Sequence, residues 1–247
     1  MWLASDMHLS AESAATREAF LAFLQAAAEQ ASALLLPGDI FDAWVGDDEI
    51  EAGATWLQEI VEGLRGVSSR IPVYLGTGNR DFLMGERLAQ ATGTRRLIAP
   101  AVLGTDCGAF LLSHGDEFCT DDVAYQQFRA MVRNPQWQAQ FLAQPLAARQ
   151  ALARQMRERS MAETSRKAAD IMDVNQQAVE AALRAHGVTR MIHGHTHRPG
   201  RHVFELDGRP CERWVLPDWD LDDAGAPRGG WLAIDQDGAV FNDIEFG

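Results

Sequence analysis

At 247 residues, 47% hydrophobic and 23% charged, the chain can bury a full core as one large domain or one domain with an insertion. Its formal net charge of −13 repels nucleic acid, whose binding relies on Lys and Arg displacing counterions, so neither DNA nor RNA is an expected partner. The three cysteines, Cys107, Cys119 and Cys211, are odd in number and lack C-x-x-C spacing, which argues against a disulfide framework and a thiolate zinc site and fits a reducing cytosol.

Met1 leads into Trp2-Leu3-Ala4 with no basic run and nothing near the ~20 apolar residues of a membrane span, so neither an export signal nor a transmembrane segment is expected. Short apolar runs then alternate with longer helix-period segments, as in strands and helices around a sheet. Strands are predicted at Met1–Ser5, Ala33–Leu36, Pro72–Leu75 and Ala109–Ser113. Between the first two, Phe20, Phe23, Leu24, Ala27 and Ala31 share one face of a helix over about Ala11–Ala31, with Ser10 as its N-cap.

From about Asp121 to His186 the pattern is polar and helical. Asn134-Pro135 and Pro145 divide it into several short helices, because proline lacks an amide hydrogen and clashes with the preceding turn. Strands return at Thr189–Ile192, Arg201–Leu206, Arg213–Leu216, Gly230–Ile234 and Val240–Ile244, with turns at Asp207-Gly208 and Asp237-Gly238. A helical block therefore interrupts a sheet-containing domain. The acidic, Pro/Gly-containing stretch from Pro217 to Gly229 has no reading.

Five polar clusters follow predicted strands, where open α/β sheets assemble their sites: Asp6-Met7-His8, Gly38-Asp39, Gly78-Asn79-Arg80-Asp81, His114-Gly115-Asp116 and His193-Gly194-His195-Thr196-His197. They contain five of the seven histidines and supply carboxylate, imidazole and amide donors without thiolate, a set suited to Mn²⁺, Fe²⁺ or Zn²⁺. In an extended segment residues i and i+2 share a face, so Asp6 with His8, and His195 with His197, each aim into one cleft. Singly, Gly-Asp reads as a turn and Gly-Asn-Arg-Asp as a solvated loop. Turns and loops do not explain their joint order.

That order resembles the calcineurin-like metallophosphoesterase superfamily. The resemblance implies a helix-flanked β-sandwich of α/β class, with metal ligands on loops at one end and an inserted helical cap. The core would be 1–120 and 187–247, and the cap 121–186. Asp6, His8 and His197 would hold one metal, Asn79, His114 and His195 the other, and Asp39 would bridge them. Two ions so placed activate water, align it and neutralise phosphoryl charge, and a carboxylate suits the bridge because two close cations need a shared anion. His193 reads as a support behind the ligands or as packing rather than as a ligand.

The longer runs Leu36–Asp48, Gly78–Leu83, Cys119–Asp122, Ile171–Asn175 and Ile192–Pro199 are similar to the UDP-2,3-diacylglucosamine pyrophosphatases, the lipid A biosynthesis family of Gram-negative bacteria. That similarity implies a phosphoric anhydride hydrolase in which water attacks the α-phosphate, giving UMP and 2,3-diacylglucosamine 1-phosphate, with two Mn²⁺ ions. Asp39, Asn79, Arg80, His114 and His195 would carry the chemistry, and Asn79, Arg80, Asp122, Ser160, Thr164, Lys167 and His195 the substrate contacts. Thr164 stands where the family commonly has Asn, so a hydroxyl replaces an amide. Arg80 stands where many phosphoesterases have His. As a permanent cation it forks onto phosphate oxygens but donates no proton, which suits a phosphate leaving group.

Within the block, Phe128, Met131, Trp137, Phe141, Leu142, Leu146, Leu152 and Met156 exceed what a small excursion hides. They suit an acyl-chain groove, although core packing accounts for any one of them. Arg129 to Lys167 holds eight basic residues against two acidic ones, which fits a sugar phosphate or an anionic bilayer and equally a solvated face. The expected location is cytoplasmic, peripheral to the inner-membrane surface, with no obligate protein partner. A dinuclear phosphoesterase for soluble nucleotides or phosphoproteins would share the ligands and need no apolar cap. A non-catalytic scaffold would have lost ligands, and all seven are present.

Overall fold

The computed structural model describes residues 1–164 and 173–244, with side chains described for 1–157 and 173–244. The first half runs β1 (Trp2–Leu3), α1 (Ala14–Gln30), β2 (Leu34–Leu36), α2 (Thr55–Ser68), β3 (Val73–Leu75), α3 (Glu86–Thr92) and β4 (Arg95–Arg96). The four strands are parallel neighbours. On the other side of β1 the late hairpin β10 (Gly230–Asp235) and β11 (Gly238–Asp243) pairs antiparallel, completing a six-stranded sheet.

A five-stranded sheet has the order β5 (Ala101–Thr105), β6 (Gly108–Leu112), β7 (Arg190–His193), β9 (Arg209–Val215) and β8 (Gly200–Leu206). Leu3 and Leu35 from the first sheet meet Phe110, Leu112, Ile192, Trp214 and Leu216 from the second in one buried cluster between the sheets. Leu34 and Leu36 face the opposite way, onto Phe20 and Leu24 of α1 and Ile60 and Leu64 of α2. Burial on both faces explains why β2 reads as an uninterrupted Leu-Leu-Leu rather than an alternation.

Among the described residues, four α-helices follow β6: α4 (Val123–Val132), α5 (Pro135–Leu142), α6 (Leu146–Thr164) and α7 (Gln176–His186). Asn134 caps α5 by accepting from the Gln136 and Trp137 amides, with Pro135 in the first turn; α6 begins just after Pro145. The prolines thus divide the block where the sequence predicts. α7 does not stand with the other three: Val179 and Leu183 are buried against Leu111, Met191 and Cys211 on the outer face of the five-stranded sheet. Among the described residues, no helix is long and apolar enough to cross a membrane.

Several strands differ from expectation. β4 and β5 carry no strong apolar pattern and were not anticipated, and β9 starts four residues early because it pairs along its whole length with β8. Their turn falls at Asp207-Gly208, both at positive φ, as a two-residue hairpin requires. α1 starts at Ala14, three residues after the sequence places it, and Ser10 is not its cap: the Ser10 amide donates to Ser13 Oγ. The capping carboxylate is Asp222, over two hundred residues away, which accepts from the Ala15 and Thr16 amides at 2.9 and 3.1 Å and from Thr16 Oγ1 at 2.8 Å. Asp222→Ala should cost about 1 kcal/mol, the usual value of a lost cap, and lower Tm by about 2–4 °C in thermal unfolding.

Candidate metal centre

The loops after β1, β2, β3, β6 and β7 meet at one end of the two sheets. Asp6, His8, Asp39, His195 and His197 have φ of 58, 47, 51, 68 and 52°. The pairs Asp6/His8 and His195/His197 therefore converge through left-handed turns and not, as the spacing predicts, through an extended backbone. Side chains other than glycine avoid this region, and holding one there costs on the order of 1–3 kcal/mol. The one other such described residue is Asp207 in its hairpin.

Buried hydrogen bonds hold these turns. The Asp6 carboxylate is fully buried and accepts from the His195 amide at 3.0 and 3.1 Å and from Ser5 Oγ, while its carbonyl accepts from the Trp219 amide at 3.0 Å. Asp39 accepts from the Arg80 amide at 2.8 Å. Beneath it, fully buried Asp81 accepts from the Gly78 and Ile40 amides at 2.7 and 2.8 Å, so one carboxylate ties the Asp39 turn to the Asn79 loop. A Cβ on Gly78 would lie 2.1 Å from Asp39 Oδ1, which leaves glycine alone compatible with this approach.

Two donor groups result. His8 Nε2 lies 3.2 Å from His197 Nε2 and 4.0 Å from Asp6 Oδ1, and His197 Nε2 lies 3.6 Å from that same oxygen. On the other side, Asn79 Oδ1 sits 3.1 Å from His114 Nε2 and 2.8 Å from His195 Nδ1. Asp39 Oδ2 lies between, 3.9 Å from His8 Nε2 and 3.6 Å from His114 Nε2. All seven residues of the resemblance come together. His193 does not join them: its ring bonds the Gly194 carbonyl and Arg213 at 2.8 and 3.1 Å.

The electrostatics suit cations. Burial pushes the Asp39 carboxyl up to about 7, and burial holds His8 and His195 down to about 3 and 4, leaving neutral imidazoles with lone pairs to give. For His197 burial is outweighed by hydrogen bonds to Asp218 and Asp6, which raise it to about 10. Buried carboxylates thus favour positive charge in the cleft, and neutral imidazole, amide and carboxylate donors fit divalent ions in that role.

Beside the cage and sharing Asn79 with it lies a groove of about 470 Å³, whose lining combines Arg80 and Arg157 with Trp44, Phe82, Tyr125, Phe128, Met131, Trp137 and Met156. Phe141 is instead buried in the main core, and Leu142 and Leu152 are 41% and 36% exposed. Arg133 fastens α4 to the cage, donating to Thr77 Oγ1 at 2.9 Å and the Gly78 carbonyl at 2.8 Å, with its guanidinium over Phe82. Asp122 caps α4 by accepting from the Tyr125 amide and does not line the groove. Ser160, Thr164 and Lys167 lie outside the residues whose side chains are described.

Several contributors went unassigned in the sequence. Asp81 was visible only as a neighbour of Asn79. Asp116 is buried two residues after His114, accepting from Tyr125 Oη at 2.6 Å and Arg129 at 2.7 Å. Asp218 lies in the uninterpreted stretch, and nothing local marks it. Asp81→Ala should lower unfolding free energy by about 2–4 kcal/mol, because it strands buried amide donors; chemical denaturation of the metal-free chain checks this.

Residues 1–199 match the family model described as calcineurin-like phosphoesterase. A UDP-2,3-diacylglucosamine hydrolase of Bordetella pertussis is 63% identical over 244 residues, covering 99% of this chain and 95% of that one. Proteins of the same description from Aromatoleum aromaticum and Pseudomonas aeruginosa are 46% and 44% identical, covering 88% and 95% of this chain and 88% and 94% of their own. A solved archaeal phosphodiesterase aligns over 98% of both chains at 13% identity with a TM-score of 0.47. The chain belongs to the calcineurin-like phosphoesterases and, within them, to the UDP-2,3-diacylglucosamine hydrolase family.

Proposed function

We propose that the chain hydrolyses the pyrophosphate of UDP-2,3-diacylglucosamine by water attack on the α-phosphate, releasing UMP and 2,3-diacylglucosamine 1-phosphate for lipid A biosynthesis. The observation that carries this reading is the groove, which begins at Asn79 and Arg80 beside the cage and continues between apolar walls. A lipid with a phosphorylated head matches that sequence of surfaces, head to cage and chains to walls.

In this reading Asp6, His8 and His197 would hold one Mn²⁺ and Asn79, His114 and His195 a second, with Asp39 placed to serve both. When bound, such a pair supplies activated water at neutral pH and neutralises phosphoryl charge. The chain does the rest. Arg80 and Arg157 present guanidinium forks to the diphosphate oxygens. Arg157 also pairs with Asp42 in the groove lining, which limits the conformations it must lose on binding. The apolar walls keep bulk water from the head group.

α4 to α6 act as the cap. Exposed Val123, Met131, Leu142 and Leu152, with arginines on α4 and α6, suit peripheral contact with the anionic cytoplasmic face of the inner membrane, weakened by salt. Ser160, Thr164 and Lys167 complete the proposed substrate contacts, and Asp122 acts through the α4 cap that it forms.

Incubation with UDP-2,3-diacylglucosamine and Mn²⁺ should release UMP; chelation should abolish that release and Mn²⁺ add-back should restore it. Asp39→Ala should remove turnover by several orders of magnitude while circular dichroism stays unchanged, and near-wild-type turnover would refute the shared role. The groove is tested at Phe128 and Met156, because Phe141 is needed by the core. Phe128→Gln with Met156→Gln should raise KM for the diacylated substrate about tenfold, equivalent to about 1.4 kcal/mol of lost contact. An unchanged KM favours soluble nucleotides or phosphoproteins as the true substrates.

A further inference from the structure

The segment from Pro217 to Gly229 joins β9 to β10 and passes behind one half of the cage. Trp219 anchors it: its ring packs edge-on against Phe20 and Phe23 of α1, with centroids 6.1 and 5.3 Å away, and its Nε1 donates to the Gly230 carbonyl at 2.9 Å. The Trp219 amide holds the Asp6 carbonyl. One residue earlier, Asp218 is 3% exposed, and its Oδ2 lies 3.3 Å from His197 Nδ1 and 2.8 Å from Arg228 Nε. Adjacent residues of one segment therefore grip Asp6 and His197.

We infer that Asp218 is a positioning residue for one of the two metal sites: by accepting the His197 Nδ1 hydrogen it fixes the ring and its tautomer, leaving the Nε2 lone pair facing Asp6 and His8. The inference rests on the reading of His197 as a metal ligand. An imidazole ligand whose second nitrogen donates to a carboxylate is oriented and made more basic, and loss of such a partner costs 10–100-fold in metal affinity. No described carboxylate stands behind the other group in the same way. His195 spends its amide on Asp6 and its Nδ1 on Asn79, and His114 Nδ1 is buried without a hydrogen-bond partner. The two sites should differ in their dependence on this segment. Arg228 is the second support, since it holds the Asp218 carboxylate from the solvent side.

The test is Mn²⁺ titration of the full chain by calorimetry, with electron paramagnetic resonance to separate coupled pairs from isolated ions. Wild type should bind two ions and show a coupled signal. Asp218→Ala should bind one ion as before and the second about 10–100-fold more weakly, with isolated-ion signal growing at substoichiometric loading. Asp218→Asn keeps the shape and an acceptor oxygen and should fall between them. Asp222→Ala loosens the same segment at α1 without touching His197, so it should lower Tm and keep both ions at wild-type affinity. Two ions bound with wild-type affinity by Asp218→Ala overturn this inference alone, as does equal loss in Asp222→Ala. A wild-type chain that binds no Mn²⁺ overturns the metal reading and this inference with it.

Discussion

Two carboxylates shut away from water, Asp6 and Asp39, impose the constraint that the rest of the structure serves. A bare buried anion is costly, so it must be solvated by something other than water. Here backbone amides from loops distant in sequence do part of that work, and they reach the carboxylates only if the chain turns through left-handed conformations at the ligands themselves. The strain at five side chains and the tight glycine at 78 follow from this one requirement. What the amides leave unneutralised draws positive charge into the cleft.

The same constraint explains what could be read in advance. Ligand types and their order survive in the sequence because each must sit directly after a strand, and strands announce themselves as apolar runs. Local geometry did not survive: Asp-x-His suggests an extended pair, yet both pairs curl, since each backbone answers to amides and carboxylates on other loops. The start of α1 was misplaced for a related reason. Ser10 has the right chemistry for a cap, but Asp222 brings a full carboxylate from the far end of the chain. Trp219 was invisible because its partner Asp6 is about as distant, and Asp218 because nothing in its own stretch marks it as facing His197.

The helical block was legible as an excess of apolar residues but not in how they are spent. Phe141 turns inward to the main core, Phe128, Met131, Trp137 and Met156 face a groove, and Leu142 and Leu152 meet solvent. A 3.6-residue period cannot separate these fates on short helices with neighbours on several sides. α7 resembles the other three in composition, and it was grouped with them. Its buried Val179 and Leu183 show that it serves the outer face of the second sheet instead.

The grip of Arg133 on Thr77 and Gly78 joins the roof of the apolar-walled trough to the very loop that bears Asn79. Whatever tilts α4, whether a longer hydrocarbon tail or a remodelled wall, is felt as a tug on that loop. Under the proposed lipid reading, tail preference and hydrolytic competence are thus mechanically entangled. Grafting a foreign roof onto the sandwich would detune the centre unless the new helix brought its own clasp.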